Sequence, residues 1–126
     1  MKNTKFYICP HCGNIVEMVH DAGVNPFCCG QKMNELIPGS VEASGEKHIP
    51  VVSVEGSKVV VNVGSVDHPM VPEHFIEWVY VETEKGGYRK ELHPNSEPNV
   101  VFELGEDKAV AVYAYCNLHG LWITKL

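Results

Sequence analysis

The segment Phe75-Ile76-Glu77-Trp78-Val79-Tyr80-Val81-Glu82, followed shortly by Gly86-Gly87, decides the fold of most of this chain. Aromatic and β-branched residues dominate it, and such residues are enriched in strands. A glycine pair directly after such a run favours a hairpin turn. The segment therefore predicts a strand and a hairpin within a larger β-structure.

Segments of the same character flank it on both sides. They are rich in Val, Tyr and Trp, and several alternate apolar and polar residues, as half-buried strands do. The other strand candidates are Val51–Val54, Lys58–Val63, Tyr88–Leu92, Val100–Leu104, Ala109–Cys116 and Leu121–Lys125. Seven short strands without a long helical period predict an antiparallel β-sandwich, and we expect it to be immunoglobulin-like.

The first 37 residues have a different composition. Three short strands are predicted there, at Lys5–Cys9, Asn14–His20 and Lys32–Ile37. A unit of fewer than about 40 residues usually needs a metal, a disulfide or a partner to fold. We therefore predict a small metal domain over residues 1–37, a linker over 38–45 and a β-domain over 46–126.

Net charge and apolar content exclude two classes of partner. The chain carries a formal charge of −6, all of it contributed by residues 38–126, whereas nonspecific nucleic-acid binding needs clustered Lys and Arg. The longest apolar run, Ala109–Cys116, is too short to span a bilayer. The first residues hold no apolar run of signal-peptide length. We therefore expect a cytoplasmic protein without nucleic-acid or membrane partners.

Four of the five cysteines lie in the first segment. Cys9-Pro10-His11-Cys12-Gly13 is a Cys-x-x-Cys knuckle, whose spacing lets both sulfurs face one ion. Cys28-Cys29-Gly30 follows later. Four thiolates predict a tetrahedral site for zinc or a single iron, and the choice of metal stays open. Because adjacent cysteines point in different directions, we expect a distorted site. His11 and His20 are expected to be surface residues.

The fifth cysteine, Cys116, lies at the end of a predicted strand, and four histidines lie at the ends of other predicted strands. These candidates for a second metal site are His48, His68, His74, Cys116 and His119. Cys116-Asn117-Leu118-His119 can chelate one ion from a single loop, as Cys-x-x-Cys does. Scattered surface histidines are the alternative for any one of them, but the whole set favours a metal site. His93 has no such context and is left out.

These motifs together resemble the desulfoferrodoxin family along the whole chain. The resemblance rests on Cys9–Glu17, Cys28-Cys29-Gly30, Glu46-Lys47-His48-Ile49-Pro50, Gly64–Met70, His74–Trp78 and Tyr115–Gly120. No ligand position departs from the family pattern.

The resemblance implies a desulforedoxin-like domain and an immunoglobulin-like domain, each with one iron. The first iron would be held by Cys9, Cys12, Cys28 and Cys29. The second would be held by His48, His68, His74 and His119 in the equatorial plane, with Cys116 as the axial ligand. The implied activity is one-electron reduction of superoxide to hydrogen peroxide. A homodimer and a rubredoxin electron donor are implied as well.

Two charged residues precede the ligand His48. Lys47 offers a positive charge beside the second site, which would attract an anion to an acidic domain. The resemblance implies that Glu46 binds the iron once it is ferric. The alternative for both residues is an ordinary solvated loop pair.

Two other functions remain open at the level of sequence. A plain electron-transfer protein would use both irons as redox relays, with no open coordination position. A zinc-ribbon interaction module would be colourless and would contain zinc. The visible spectrum together with metal analysis separates the three.

Overall fold

The computed structural model describes residues 4–126, so the first three residues of the predicted metal domain lie outside it. The chain divides into two compact units, with the boundary between Ile37 and Pro38. In the described part of the chain, no helix is long and apolar enough to cross a membrane.

The first unit is built from five very short strands. They are β1 (Phe6–Ile8), β2 (Ile15–Glu17), β3 (Phe27–Cys28), β4 (Gln31–Lys32) and β5 (Asn34–Glu35). β1 lies between β2 and β5, and β3 pairs with β4 in a separate hairpin. The buried residues Tyr7, Cys9 and Met33 form a small core cluster, with Val16, Met18 and Cys28 packed against it.

The second unit is an antiparallel sandwich preceded by one helical turn. Its elements are α1 (Gly45–His48), β6 (Pro50–Glu55), β7 (Lys58–Val63), β8 (Ile76–Thr83), β9 (Gly87–Glu91), β10 (Asn99–Glu103), β11 (Ala109–Cys116) and β12 (Gly120–Lys125). One sheet has the order β10-β7-β6 and the other β12-β11-β8-β9. The predicted mainly β fold, with an immunoglobulin-like sandwich of seven strands, is therefore confirmed.

The core of the sandwich lies between the two sheets, where alternate residues of the strands meet. Its buried members are Val59, Val61, Val63, Ile76, Val79, Val81, Phe102, Leu104, Val112, Ala114 and Cys116. This core is far larger than that of the first unit. Cys116 belongs to it, so one candidate ligand is held by the core itself.

Strand boundaries follow the prediction closely in the sandwich and loosely in the first unit. β7 and β11 have the predicted ends. The predicted strand Lys32–Ile37 is wrong in detail, because Met33 separates β4 from β5 and packs into the core. β3 was not predicted, since two residues carry no period.

The helical turn α1 was not predicted either and lies at the end of the expected linker. The amide of Ile49 donates to the Gly45 carbonyl at 2.8 Å, and Pro50, which has no amide hydrogen, begins β6 directly afterwards. His48, predicted at the start of a strand, is the last residue of this turn.

Strand pairing brings the second set of candidate ligands to one end of the sandwich. Pro50, at the start of β6, pairs with Val63, at the end of β7. Cys116, at the end of β11, pairs with both Ile76 and Gly120. The turn and loops that carry the histidines all connect to these strand ends.

Candidate metal centres

The four cysteines of the first unit converge as predicted from their spacing. Their sulfur atoms all lie within 4.8 Å of one another. Sγ of Cys28 is 3.6 Å from Sγ of Cys12 and 4.0 Å from Sγ of Cys29. A tetrahedral ion bound at about 2.3 Å has sulfur–sulfur edges of about 3.8 Å. The geometry therefore fits a four-coordinate ion.

The backbone conformation at Cys29 allows two adjacent cysteine side chains to face one ion. Cys29 adopts a left-handed conformation with φ of 54°, and Gly30 follows with φ of 71°. A non-glycine residue pays a steric cost there. The resulting turn lets the side chains of Cys28 and Cys29 face the same point, although successive residues of an extended strand would not.

Amide groups surround the sulfurs. The backbone amide of Cys12 donates to Sγ of Cys9 at 3.4 Å, and that of Asn14 donates to Sγ of Cys12 at 3.5 Å. The side-chain amide of Asn14 donates to Sγ of Cys28 at 3.8 Å. These donors favour thiolates, the form in which cysteine binds metals.

The thiols respond unequally to this environment. The pKa of Cys9 is lowered to about 6, chiefly by the backbone amide of Cys12. The pKa of Cys29 is raised to about 12, chiefly by its hydrogen bond with the side chain of Cys12. A bound cation would favour the thiolate form of Cys29. His11 and His20 are exposed and lie outside the cluster, as expected.

In the second unit the four histidine rings form a square. Adjacent rings meet nearly at right angles, with interplanar angles of 77–86° and centroids 4.6–5.0 Å apart. One diagonal, His48 to His74, spans 6.3 Å with the rings tilted by 31°. His68 and His119 occupy the other two corners. In this arrangement the donor nitrogens of His48, His68 and His74 lie within 4.8 Å of one another.

Cys116 lies close to this square. Its Sγ is within 4.8 Å of the ligand nitrogens of His48, His68 and His74. It is 3.8 Å from Nδ1 of His119, which in turn lies 3.2 Å from Nε2 of His48. The structure thus brings together all five residues predicted for the second site. His93 is exposed and lies outside the cluster.

Backbone carbonyls fix the tautomers of two of these rings. Nδ1 of His48 is 2.7 Å from the Ser44 carbonyl, and Nδ1 of His68 is 2.7 Å from the Pro69 carbonyl. A carbonyl only accepts, so each Nδ1 carries the hydrogen and each Nε2 is left with a lone pair. These two Nε2 atoms lie 3.1 Å apart. Two lone pairs at this distance repel unless a cation lies between them.

Burial favours the neutral form of the histidines. His48 and His68 are each 2% exposed, and desolvation lowers the pKa of His68 to about 4. Desolvation, then the charges of His119 and Lys47, lowers the pKa of His74. Nε2 of His74 is buried and finds no hydrogen-bond partner among the described residues. Neutral imidazoles with converging lone pairs are what a transition-metal ion requires.

Glu46 and Lys47 lie on α1, directly before the ligand His48. Glu46 is exposed and Lys47 is half-buried. The Glu46 carbonyl accepts from the amide of Val66 at 2.9 Å and from the hydroxyl of Ser65 at 3.2 Å. The turn at residues 64–66 therefore holds the backbone of the charged pair in place.

Sequence reasoning missed two residues that shape this site. Gly64 lies so close to α1 that a Cβ there would be 2.7 Å from the Glu46 carbonyl oxygen. The indole of Trp122 stacks on His48 with centroids 4.9 Å apart. Neither is a ligand type, and both contacts join residues distant in sequence. The available signals were the motif Gly64–Met70, which begins at Gly64, and the motif Tyr115–Gly120, which ends two residues before Trp122.

The sandwich and its two donor sets define a metalloprotein with two non-haem centres. Residues 40–125 match the family described as Desulfoferrodoxin, and residues 2–36 match Desulfoferrodoxin, N-terminal domain. A desulfoferrodoxin homolog of Archaeoglobus fulgidus is 47% identical over 116 residues, covering 92% of each chain. The desulfoferrodoxin of Nitratidesulfovibrio vulgaris is 42% identical over 118 residues, covering 94% of this chain and 93% of that one.

A solved structure agrees with these relatives. The crystal structure of the superoxide reductase from Treponema pallidum matches with a TM-score of 0.83 and 41% identity, covering 98% of this chain and 100% of that chain. The chain belongs to the desulfoferrodoxin family. The two donor sets fit the two iron ions expected from the sequence, one with four thiolates and one with four imidazoles and a thiolate.

Proposed function

We propose that this protein is a superoxide reductase. It would reduce superoxide by one electron, taking up two protons and releasing hydrogen peroxide without dioxygen. The observation that carries this function is the square of four imidazoles beside Cys116, in which the donor nitrogens of His48, His68 and His74 lie within 4.8 Å of the Cys116 sulfur and of one another. The Treponema pallidum relative, matched along its whole length, is named for the same activity.

His48, His68, His74, His119 and Cys116 would hold an iron in the second site, and its ferrous form would supply the single electron. The chain contributes five donors, one fewer than an octahedral ion takes. Four neutral imidazoles keep the site positively charged overall, and the thiolate of Cys116 increases electron density at the metal. Burial raises the pKa of the Cys116 thiol, so an ion is needed to hold it as thiolate.

Lys47 and Glu46 would act on the substrate from α1. The Lys47 ammonium lies close enough to lower the pKa of His74, after the larger effects of desolvation and His119. It would attract superoxide and orient a water that donates a proton to the product. Glu46 would bind the iron in its ferric form, since its exposed carboxylate neighbours the ligand His48. The 64–66 turn would hold the backbone of this pair in place for both roles.

The division of labour follows the two units. Residues 1–37 would form the four-cysteine domain, a structural and electron-transfer centre. Residues 38–45 would form the linker, and residues 46–126 would carry the reaction. A rubredoxin-like protein would supply the electron, and the chain would work as a cytoplasmic homodimer. These assignments rest on the family resemblance and on the exposed positions of Cys12 and Cys29.

Stopped-flow mixing of the pre-reduced protein with superoxide tests the function directly. We expect a fast second-order reaction and one hydrogen peroxide per superoxide, with no dioxygen. Cys116→Ser should lose the thiolate-to-iron band and slow the reaction by more than roughly 100-fold, the upper range for groups that only support a ligand. His93→Ala is the matched control and should retain iron, band and rate.

Three results would reject the proposal. Zinc in both sites of protein isolated from its native host would favour an interaction module. Iron in both sites without a reaction with superoxide would favour a plain electron carrier. Loss of the second iron in His93→Ala, but not on replacing His119, would overturn the ligand assignment.

A further inference from the structure

Trp122 contacts two of the four histidines through different parts of its side chain. Its ring stacks on the imidazole of His48, with centroids 4.9 Å apart and planes 29° apart. Its Nε1–H donates to the backbone carbonyl of His119 at 3.1 Å. His48 and His119 occupy adjacent corners of the square. One indole therefore links two ligands that are 71 residues apart in sequence.

The position of Trp122 is itself fixed by the sheet. It lies on β12 and pairs with Ala114 of β11, on the strand that ends at Cys116. Its backbone neighbour Leu121 accepts a hydrogen bond from Gly39 at 2.8 Å. The exposed edge of the indole lines a surface groove with residues 39–43. The indole is thus a rigid element between the strand pair and two ligand rings.

The ring of His48 has two supports. The Ser44 carbonyl accepts a hydrogen bond from its Nδ1 at 2.7 Å, and the indole of Trp122 stacks on its face. Together these contacts define the position of Nδ1 and the plane of the ring. The hydrogen bond to the His119 carbonyl fixes the backbone of the second ligand in the same frame. Supporting contacts of this kind set ligand orientation and metal affinity.

We propose that Trp122 is a positioning residue that sets the mutual angle of the His48 and His119 ligands. The two interactions are separable: the stack orients the His48 plane, and the indole N–H places the Cys116–His119 loop. This inference rests on the proposed iron site. It adds a residue whose side chain offers no metal-binding atom.

Two substitutions separate the two interactions, and the second tryptophan provides a control. Trp122→Phe keeps an aromatic ring but loses the N–H donor, and Trp122→Leu loses both. Trp78→Phe is the matched control, because Trp78 and Trp122 are each 8% exposed. Trp78 stacks on Tyr115 with centroids 5.5 Å apart.

The measurements are made on the full chain, with ferrous ion as the probe under anaerobic conditions. Competition with a chelator gives the dissociation constant of the second site. Electron paramagnetic resonance of the oxidised protein reports the symmetry of the ferric ion. Thermal unfolding of the metal-free protein reports the loss of packing alone, so the packing loss can be separated from the loss of ligand orientation.

We expect Trp122→Leu to weaken ferrous binding by roughly 10- to 100-fold, the range for supporting groups around metal ligands. Trp122→Phe should weaken it less but still alter the ferric spectrum. Trp78→Phe should leave both unchanged, even if it lowers the unfolding temperature equally.

The inference is overturned if both Trp122 variants bind ferrous ion and give ferric spectra as the wild type does. It is also overturned if Trp78→Phe alters affinity and spectrum as much as they do. Should Trp122→Leu fail to fold, Trp122→Phe decides alone, and an unchanged ferric spectrum rejects the inference. A wild-type chain that binds no iron at the histidines would instead reject the proposed function.

Discussion

The two metal centres of this chain depend on their surroundings in opposite ways. The four-cysteine centre lies among strands of two or three residues, with Cys12 and Cys29 exposed. The histidine–cysteine centre lies at the end of a sandwich with strands of up to eight residues, with His48, His68 and Cys116 buried. We therefore expect a bound metal to stabilise the fold of the first unit. In the second unit, the fold itself positions the candidate ligands.

The difference follows from how much apolar surface each unit buries. Among the described residues, the core cluster of the first unit has three buried members and that of the sandwich has eleven. A small core cannot offset the conformational entropy of some 37 residues, so metal binding must supply part of the folding free energy. The sandwich has a larger core cluster, so we expect its folding to depend less on a bound ion.

The largest expected effect tests the dependence of the first unit on its metal. Cys12→Ser replaces a thiolate with a poor ligand and should release the first iron. The first unit should then unfold, because structural metal sites contribute on the order of 10 kcal/mol to such folds. Hydrogen exchange at the amides of Tyr7 and Met33, together with iron analysis, measures this.

The neighbouring histidine supplies the control for that experiment. His11→Ala lies between the same two cysteines but removes no ligand, so iron and protection should both persist. Superoxide reduction by the pre-reduced second centre should survive in Cys12→Ser. Protected amides in an iron-free first unit would show that its small core suffices, and the contrast between the units would be lost.

A smaller effect is expected at Gly64, which lies close to the backbone of α1 and Ile49. Gly64→Ala would place a Cβ 2.7 Å from the Glu46 carbonyl oxygen and 2.9 Å from that of Ile49. Because backbone atoms cannot move aside without cost, the free energy of unfolding measured in urea should fall by about 1–3 kcal/mol. Gly86→Ala is the control, because a Cβ there meets nothing within 4 Å. Equal stabilities of the two variants would mean that α1 shifts without cost.

These contacts mark the limit of what could be predicted from the sequence. The strands Lys58–Val63 and Ala109–Cys116 are predictable because side-chain alternation and β-propensity act locally. The donor residues are predictable because ligand chemistry restricts residue type. α1 is not, since four residues carry no helical period. Gly64 and Trp122 are not, because their partners are set by sheet pairing and not by the neighbouring sequence.

Acid should distinguish the metal-free sandwich from the iron-loaded one. Desolvation lowers the pKa of His68 to about 4 and also lowers that of His48. Between pH 6.5 and 4 the unfolded chain therefore binds protons that the folded chain does not. The free energy of unfolding consequently falls as pH falls through this window, by up to about 3 kcal/mol for a group shifted as far as His68.

Thermal unfolding of metal-free protein from pH 7.5 to 4.5 measures this slope. His68→Gln should flatten it, because one buried titrating ring is removed. The exposed His93, replaced by Ala, should leave the slope as it is in the wild type. A slope that His68→Gln does not change would mean that the buried ring contributes nothing to acid sensitivity.

The smallest effect is expected from the positive charge of Lys47 beside the second centre. If Lys47 attracts superoxide, Lys47→Ile should slow the second-order reaction by about 2- to 10-fold, a modest part of what electrostatic steering achieves. The wild-type rate should fall as salt rises, because exposed charges are screened beyond about 8 Å at physiological ionic strength. The variant should show a weaker salt dependence. Lys58→Ile removes an exposed lysine at the other end of β7 and should leave rate and salt slope unchanged.

Glu46→Ala should affect a later step than the first encounter with superoxide. Removal of this carboxylate should leave the first encounter unchanged or slightly faster, since one negative charge is lost. Its effect should appear in the ferric spectrum and in the last steps of the cycle, whereas the spectrum of the four-cysteine centre should not change. If the Lys47 and Glu46 variants both match the wild type in rate, salt slope and ferric spectrum, the pair is only a solvated turn. The reactivity of the second centre would then come from its buried ligands alone.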